Sequence, residues 1–256
     1  MANHMTQTSS QTDNYKAELS ESIEQLYQMF AKYPLDPAMD GSPVYQKLML
    51  DRWNQTLAAK PLRELSVEDL TTYHFKAMTT WGGVNDFKHF LPRLFELLSE
   101  LPMDFDEWVT LDKLNYGNYK NWPDNEKTVI HRFLLAFWKK LLTEESADID
   151  AGFAGYFSAI ANVYSDFGQL LQIWLAADKQ CSSYRLAAFV SGAQKKVLEK
   201  QVLPGYEDMP QQGKLFREWL RSPAVLNKLK QTVPSAAAPY IDWELIPVIR
   251  QLEQGL

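Results

Sequence analysis

The sequence is poor in the residues that staple or metallate a fold. One cysteine, Cys181, stands among 256 residues, so no intramolecular disulfide can form. That excludes a disulfide-stapled secreted scaffold and fits a reducing cytoplasm; Cys181 itself is expected to be buried. Histidine is almost as scarce, with four copies. His4 belongs to the opening MANHM, which reads as a cloning remnant with the natural start at Met5, so residues 1–4 are set aside. His74, His89 and His131 remain. With no HExxH, no Glu-x-x-His and no paired cysteines, neither a metal nor another cofactor is expected.

Other absences narrow the function. No apolar run approaches the ~20 residues of a membrane span, and the first residues lack the apolar core of a signal peptide. There is no phosphate-cradling glycine loop, no dinucleotide fingerprint and no G-x-S-x-G elbow. The stretch ESADIDAGF has acids but places Phe153 where a calcium loop needs glycine. A His-Asp dipeptide and adjacent aspartates are missing too, which argues against helical phosphohydrolases and prenyl-diphosphate enzymes. Clean two-residue alternation is absent, and so is any repeat of fixed length. The formal net charge is −6, which opposes non-specific binding of nucleic acid.

What is present is helical. The chain holds 8 Trp, 12 Tyr and 13 Phe, side chains that fill helix–helix seams. Leu19, Ile23, Leu26, Tyr27 and Phe30 predict a helix over 13–32, after a disordered polar tail over 1–12. Ser42-Pro43 predicts a helix start, and that helix ends before Pro61. Ser66 and Asp69 resemble a capping box, opening a helix through Leu70, Tyr73, Ala77 and Trp81 that Gly82-Gly83 stops. Phe87, Phe90, Leu91, Leu94, Phe95 and Leu98 then form one helical face with Pro92 in its middle. Such a proline either kinks the helix or joins two short ones. A short helix over 104–114 and a polar aromatic loop over 115–123 follow. Asp124 opens the best-patterned helix, through Val129, Phe133, Phe137 and Leu141. The run from Phe153 to Trp174 divides at Ser165-Asp166. Helices over 184–203, 215–220, 224–233 and 240–252 complete the set, with Pro223 and Pro239 each near a helix start. The fold class is all-α: antiparallel helix pairs in a HEAT- or armadillo-like solenoid or a compact multi-helix bundle, as a single domain over 13–256.

Charge is distributed unevenly. Glu96, Glu100, Asp104, Asp106, Glu107 and Asp112 fall within 95–112 with no basic residue among them. Trp108 lies inside that segment. Glu144, Glu145, Asp148 and Asp150 follow. The C-terminal third is basic, with Lys195, Lys196, Lys200, Lys214, Arg217, Arg221, Lys228 and Lys230. An acidic, tryptophan-bearing segment suits a basic protein partner.

The residues Thr79-Thr80-Trp81-Gly82, Asp86-Phe87 and His89-Phe90-Leu91-Pro92-Arg93 resemble a motif in a family of helical bacterial hypothetical proteins. A weaker echo lies at Trp219–Val225. The resemblance implies a bacterial, cytoplasmic, helical protein and carries over no catalytic residue. The reading that follows is a non-catalytic, protein-binding helical protein of the immunity type, which neutralises a basic toxin domain. Its interface is expected at Glu96, Glu100, Asp104, Asp106, Glu107, Trp108 and Asp112, with no nucleic acid and no membrane involved. Two alternatives stand beside it. One is an enzyme with His74, Asp86, His89 and Arg93 converging near Gly82-Gly83. The other is an adaptor solenoid for a cellular protein or peptide.

Overall fold

The computed structural model describes residues 3–101, 105–177, 180–194, 209–232 and 242–254. Among these residues there are twelve α-helices and no strand. They are α1 (Asn3–Phe30), α2 (Lys47–Ala58), α3 (Val67–Lys76), α4 (Val84–Ser99), α5 (Glu107–Tyr116) and α6 (Asp124–Thr143), followed by α7 (Ala147–Val163), α8 (Phe167–Ala176), α9 (Gln180–Gln194), α10 (Pro210–Leu220), α11 (Pro223–Thr232) and α12 (Asp242–Glu253). The all-α expectation therefore holds. The chain groups into two compact units, residues 1–137 and 138–256, and the division falls inside α6.

In the first unit, α1 starts earlier than the sequence reading has it. It passes through the polar stretch expected as a tail. No glycine or proline interrupts residues 3–32, so nothing local breaks it. Ser42-Pro43, by contrast, does not start a helix, and α2 begins at Lys47. The backbone there is paired elsewhere. Ser42 N–H donates to Thr80 O at 2.8 Å, and Gly82 N–H donates to Asp40 O at 2.8 Å. A long-range pairing has overridden a local start signal.

The Ser66 capping box forms as expected. The Ser66 hydroxyl accepts from Asp69 N–H at 3.3 Å, and the Asp69 carboxylate accepts from Ser66 N–H at 2.9 Å. The helix it opens ends at Lys76, short of Gly82. Met78 takes φ 62° and Gly82 takes φ 68°, so the chain turns back on itself over 77–83. Trp81 N–H returns to Lys76 O at 3.1 Å, and Met78 N–H to Trp81 O at 3.0 Å. The Trp81 ring is buried in the turn it closes.

Helix α4 runs unbroken through Pro92. Of the two expectations for that proline, the junction of two short helices is thus excluded. Phe87, Phe90, Leu91, Leu94, Phe95 and Leu98 are all buried, as their spacing predicts. Phe90 packs on Tyr73 of α3 at 4.5 Å between ring centroids, and Phe95 on Phe133 of α6 at 5.0 Å. Each fully buried aromatic or leucine contributes roughly 1.5–3 kcal/mol of apolar transfer. Six on one face outweigh the ~3 kcal/mol that an internal proline costs. That is how the helix tolerates it.

The second unit has an aromatic centre. Trp174 meets Trp138 at 5.4 Å and Phe157 at 5.1 Å, and Phe157 meets Phe189 at 5.2 Å. Both indoles find acceptors: Trp138 Nε1 donates to Leu170 O at 3.0 Å, Trp174 Nε1 to Ser182 O at 2.9 Å. Asp166 caps α8 through Gln169 N–H, so the break expected at Ser165-Asp166 is real. Arg185 is buried and donates to Leu141 O, Glu144 O and the Asp150 carboxylate at 2.7–2.8 Å. It satisfies carbonyls at the end of α6 that no helical N–H reaches. Cys181 is half-buried and donates toward Leu142 O, and burial pushes its thiol pKa up. Lys195, Lys196, Lys200, Pro239, and the expected helical residues 195–203, 233, 240 and 241 lie outside the described residues.

Candidate partner-binding face

Helix α5 is built for two different sides. Asp106 takes an extended conformation and its carboxylate accepts from Val109 N–H at 2.7 Å, which starts the helix. Thr110, Leu111, Lys113 and Leu114 turn inward and are buried. Trp108, Asp112 and Tyr116, at i, i+4 and i+8, form the opposite stripe. Trp108 is 37% exposed and Tyr116 58% exposed. The tryptophan that could equally have filled the core stands at the surface.

The end of α3 lies against this helix. Phe75 is 50% exposed. Its carbonyl and that of Ala77 accept from the Lys113 ammonium at 3.2 and 2.8 Å. Lys113 also lies 5.8 Å from the Tyr116 ring centroid. Its aliphatic stem is buried, and desolvation lowers its pKa. Beside Phe75, the His74 ring is buried and stacks on Phe105 at 4.4 Å and 10°. Its Nε2 lies 2.7 Å from Thr110 Oγ1 and 3.3 Å from Asp106 O. Phe75 is thus tied to the start of α5 through His74 and to its last turn through Lys113.

The expected acidic residues divide by environment. Asp106 is exposed and Glu107 half-buried. Burial raises the Glu107 pKa above the usual carboxylate range, which is the mark of a charge short of compensation. Neither has an ion-pair partner among the described residues. Glu100 is exposed just past the end of α4. Asp112 accepts from the Asn115 amide at 3.2 Å. Glu96 is different: it takes Arg93 Nη1 at 2.6 Å and the Tyr27 hydroxyl at 2.5 Å. Its charge is spent inside the fold. Asp104 lies outside the described residues.

The four residues of the alternative pocket are each held by separate partners. His74 is engaged as above. Asp86 accepts from Gly83 N–H at 2.7 Å and so opens α4. His89 Nδ1 donates to Tyr33 O at 2.9 Å. Arg93 Nε donates to Leu65 O at 2.8 Å while Nη1 goes to Glu96. Among the described residues no group of three or more His, Cys, Asp or Glu side chains could hold a metal ion.

Sequence reasoning missed Phe75 and Tyr116. Both signals were legible. Phe75 lies off the stripe of Leu70, Tyr73 and Ala77, and Tyr116 repeats Trp108 two turns later. An aromatic residue off the buried stripe of its helix is the pattern to look for. Comparison with protein-family models, with curated proteins and with solved structures finds no match.

Proposed function

We propose that this is a non-catalytic helical protein of the immunity type, which binds a basic bacterial toxin domain through the outward face of α5 and the end of α3. The observation that supports it most is the exposure of Phe75, Trp108 and Tyr116 beside the carboxylates of Asp106 and Glu107, neither of which has an ion-pair partner among the described residues. Interface cores are enriched in aromatic anchors, and exposed aromatics of this size carry a hydration cost that a partner relieves. The carboxylates supply the complementary field, which raises association rate and discriminates against acidic partners. The reading extends to a cytoplasmic site of action. No described helix is long and apolar enough to cross a membrane. The separate engagement of His74, Asp86, His89 and Arg93 leaves the enzyme alternative without a supporting observation.

The test is surface plasmon resonance against purified basic toxin domains at two salt concentrations. Reversal of Glu100 and Glu107 to lysine is preferred to reversal of Asp106, which would also uncap α5. The double reversal should slow association about tenfold at low salt and flatten its salt dependence. A folded double reversal that associates as fast as wild type would move the interface away from α5.

A further inference from the structure

Within the first unit, one arginine already sits on an aromatic residue and an acid carried by a single helix. The Arg63 guanidinium carbon lies 3.6 Å from the Tyr27 ring centroid. Its two terminal nitrogens fork the Glu24 carboxylate at 2.8 and 2.7 Å. Glu24 and Tyr27 are three apart on α1, so ring and carboxylate face the same way. The guanidinium lies over the ring while its terminal nitrogens reach the acid, and an ammonium cannot fork a carboxylate in that way.

Helix α5 also carries rings and a carboxylate one turn apart on its outward stripe, here at i, i+4 spacing rather than i, i+3. Asp112 lies one turn from Trp108 on one side and one turn from Tyr116 on the other. Glu107 adds a half-buried carboxylate beside Trp108, and Phe75 adds a third exposed ring. Among the described residues no guanidinium lies over Trp108 or Tyr116. Lys113, among the described residues the one cation near either ring, skirts Tyr116 at 5.8 Å with its ammonium committed to two carbonyls.

We infer that the Trp108–Asp112–Tyr116 stripe docks an arginine-presenting segment of a basic protein and discriminates against a lysine-presenting one. The inference rests on the binding face proposed above and names what that face recognises. A guanidinium is weakly hydrated, so it gives up little on moving onto an indole or phenol ring, and a carboxylate one turn away satisfies its N–H edge. An ammonium keeps its water and responds to the acids alone. Charge brings either peptide to α5, but the rings choose between them.

The experiment measures dissociation constants for capped hexa-arginine and hexa-lysine peptides, which carry equal charge, at low salt. Wild type should bind hexa-arginine about fivefold or more tightly than hexa-lysine. Trp108→Ala with Tyr116→Ala should bring the ratio toward one while hexa-lysine affinity stays nearly unchanged. A Trp108→Phe, Tyr116→Phe variant keeps rings in place and should retain a clear arginine preference even if the alanine pair melts early. Equal affinity for the two peptides in wild type overturns the inference, and so does a preference that survives the alanine pair in folded protein. If both peptides bind equally and both weaken in Glu107→Gln, arginine selectivity fails while the basic-partner reading stands. If neither peptide binds, both fail.

Discussion

His74 and Thr110 are joined by a 2.7 Å hydrogen bond whose proton can be assigned from its surroundings. Thr110 Oγ1 donates to Asp106 O at 2.8 Å, so its lone pairs are left for the His74 Nε2–H. Nδ1 then carries a bare lone pair in a buried place where, among the described residues, it finds no donor. Protonating it would bury a cation beside Lys113. Burial, with Lys113 adding to it, lowers the His74 pKa to about 4 despite the opposing pull of Asp106.

The sign of the pH dependence follows. The unfolded chain takes up a proton near pH 6.5, whereas folded His74 does so near pH 4. Its contribution is complete above the unfolded value and is lost as pH falls toward the folded one. The loss amounts to about 3 kcal/mol at most. Urea unfolding at pH 7 and pH 4.5 should show wild type losing about 2 kcal/mol more than His74→Leu between the two conditions. Parallel losses would mean that His74 is not neutral in the fold.

Lys88 and Glu126 form a buried ion pair at 2.7 Å. Glu126 also accepts from Lys32 at 2.6 Å and from the Tyr33 hydroxyl at 2.7 Å. Burial pushes the Glu126 pKa up, but these three donors together bring it below the usual range. Lys88→Met should cost about 3 kcal/mol, at the lower end for a broken buried pair because Lys32 remains. Adding Glu126→Leu should restore part of that loss, since the orphaned carboxylate goes too. A double variant as unstable as the sum of the singles would refute the coupling.

Asn54 holds Trp81 in the turn over 77–83. It accepts from the indole N–H at 3.0 Å and donates to Met39 O at 3.0 Å. Asn54→Ala leaves both groups buried and unpaired, at a cost of about 3 kcal/mol. Gly82→Ala should cost about 1 kcal/mol or more, because φ is 68° and a Cβ would meet Asp86 and the Met39 sulfur at 3.1–3.3 Å. Thermal melts read both, and unchanged midpoints would show that the turn carries no stability.

Pro92 is expected to be architectural and to carry no chemistry. It is buried within α4 among side chains that pack on the rest of the unit. Pro92→Ala returns an N–H donor to the helix and removes ring volume, so stability should change by no more than about 1–2 kcal/mol. Association with a basic partner should be unchanged. Loss of binding in a folded, equally stable Pro92→Ala protein would place Pro92 in the functional face.

Local patterns were legible wherever a helix is decided by its own turn-to-turn contacts. The α4 stripe, the Ser66 capping box and the break before Phe167 all read correctly from spacing and capping residues. The candidate face was legible in part. Trp108 and its acids could be singled out; Phe75 and Tyr116 carried a signal in their off-stripe positions, which their exposure bears out. Glu96 looked like the other acids because its partners, Tyr27 and Arg93, include one 69 residues away.

The sequence by itself determined an all-α chain, the number and approximate place of most helices, and the excess of negative charge over 95–112. These depend on apolar period, caps and composition, which act over a few residues. Tertiary structure alone decided where α2 begins and α3 ends, because Ser42 pairs with Thr80 and Gly82 with Asp40, each across some forty residues. It also decided which acids are already neutralised and which aromatic rings meet solvent. Both depend on what distant segments bring against a helix, which a local pattern encodes only in part.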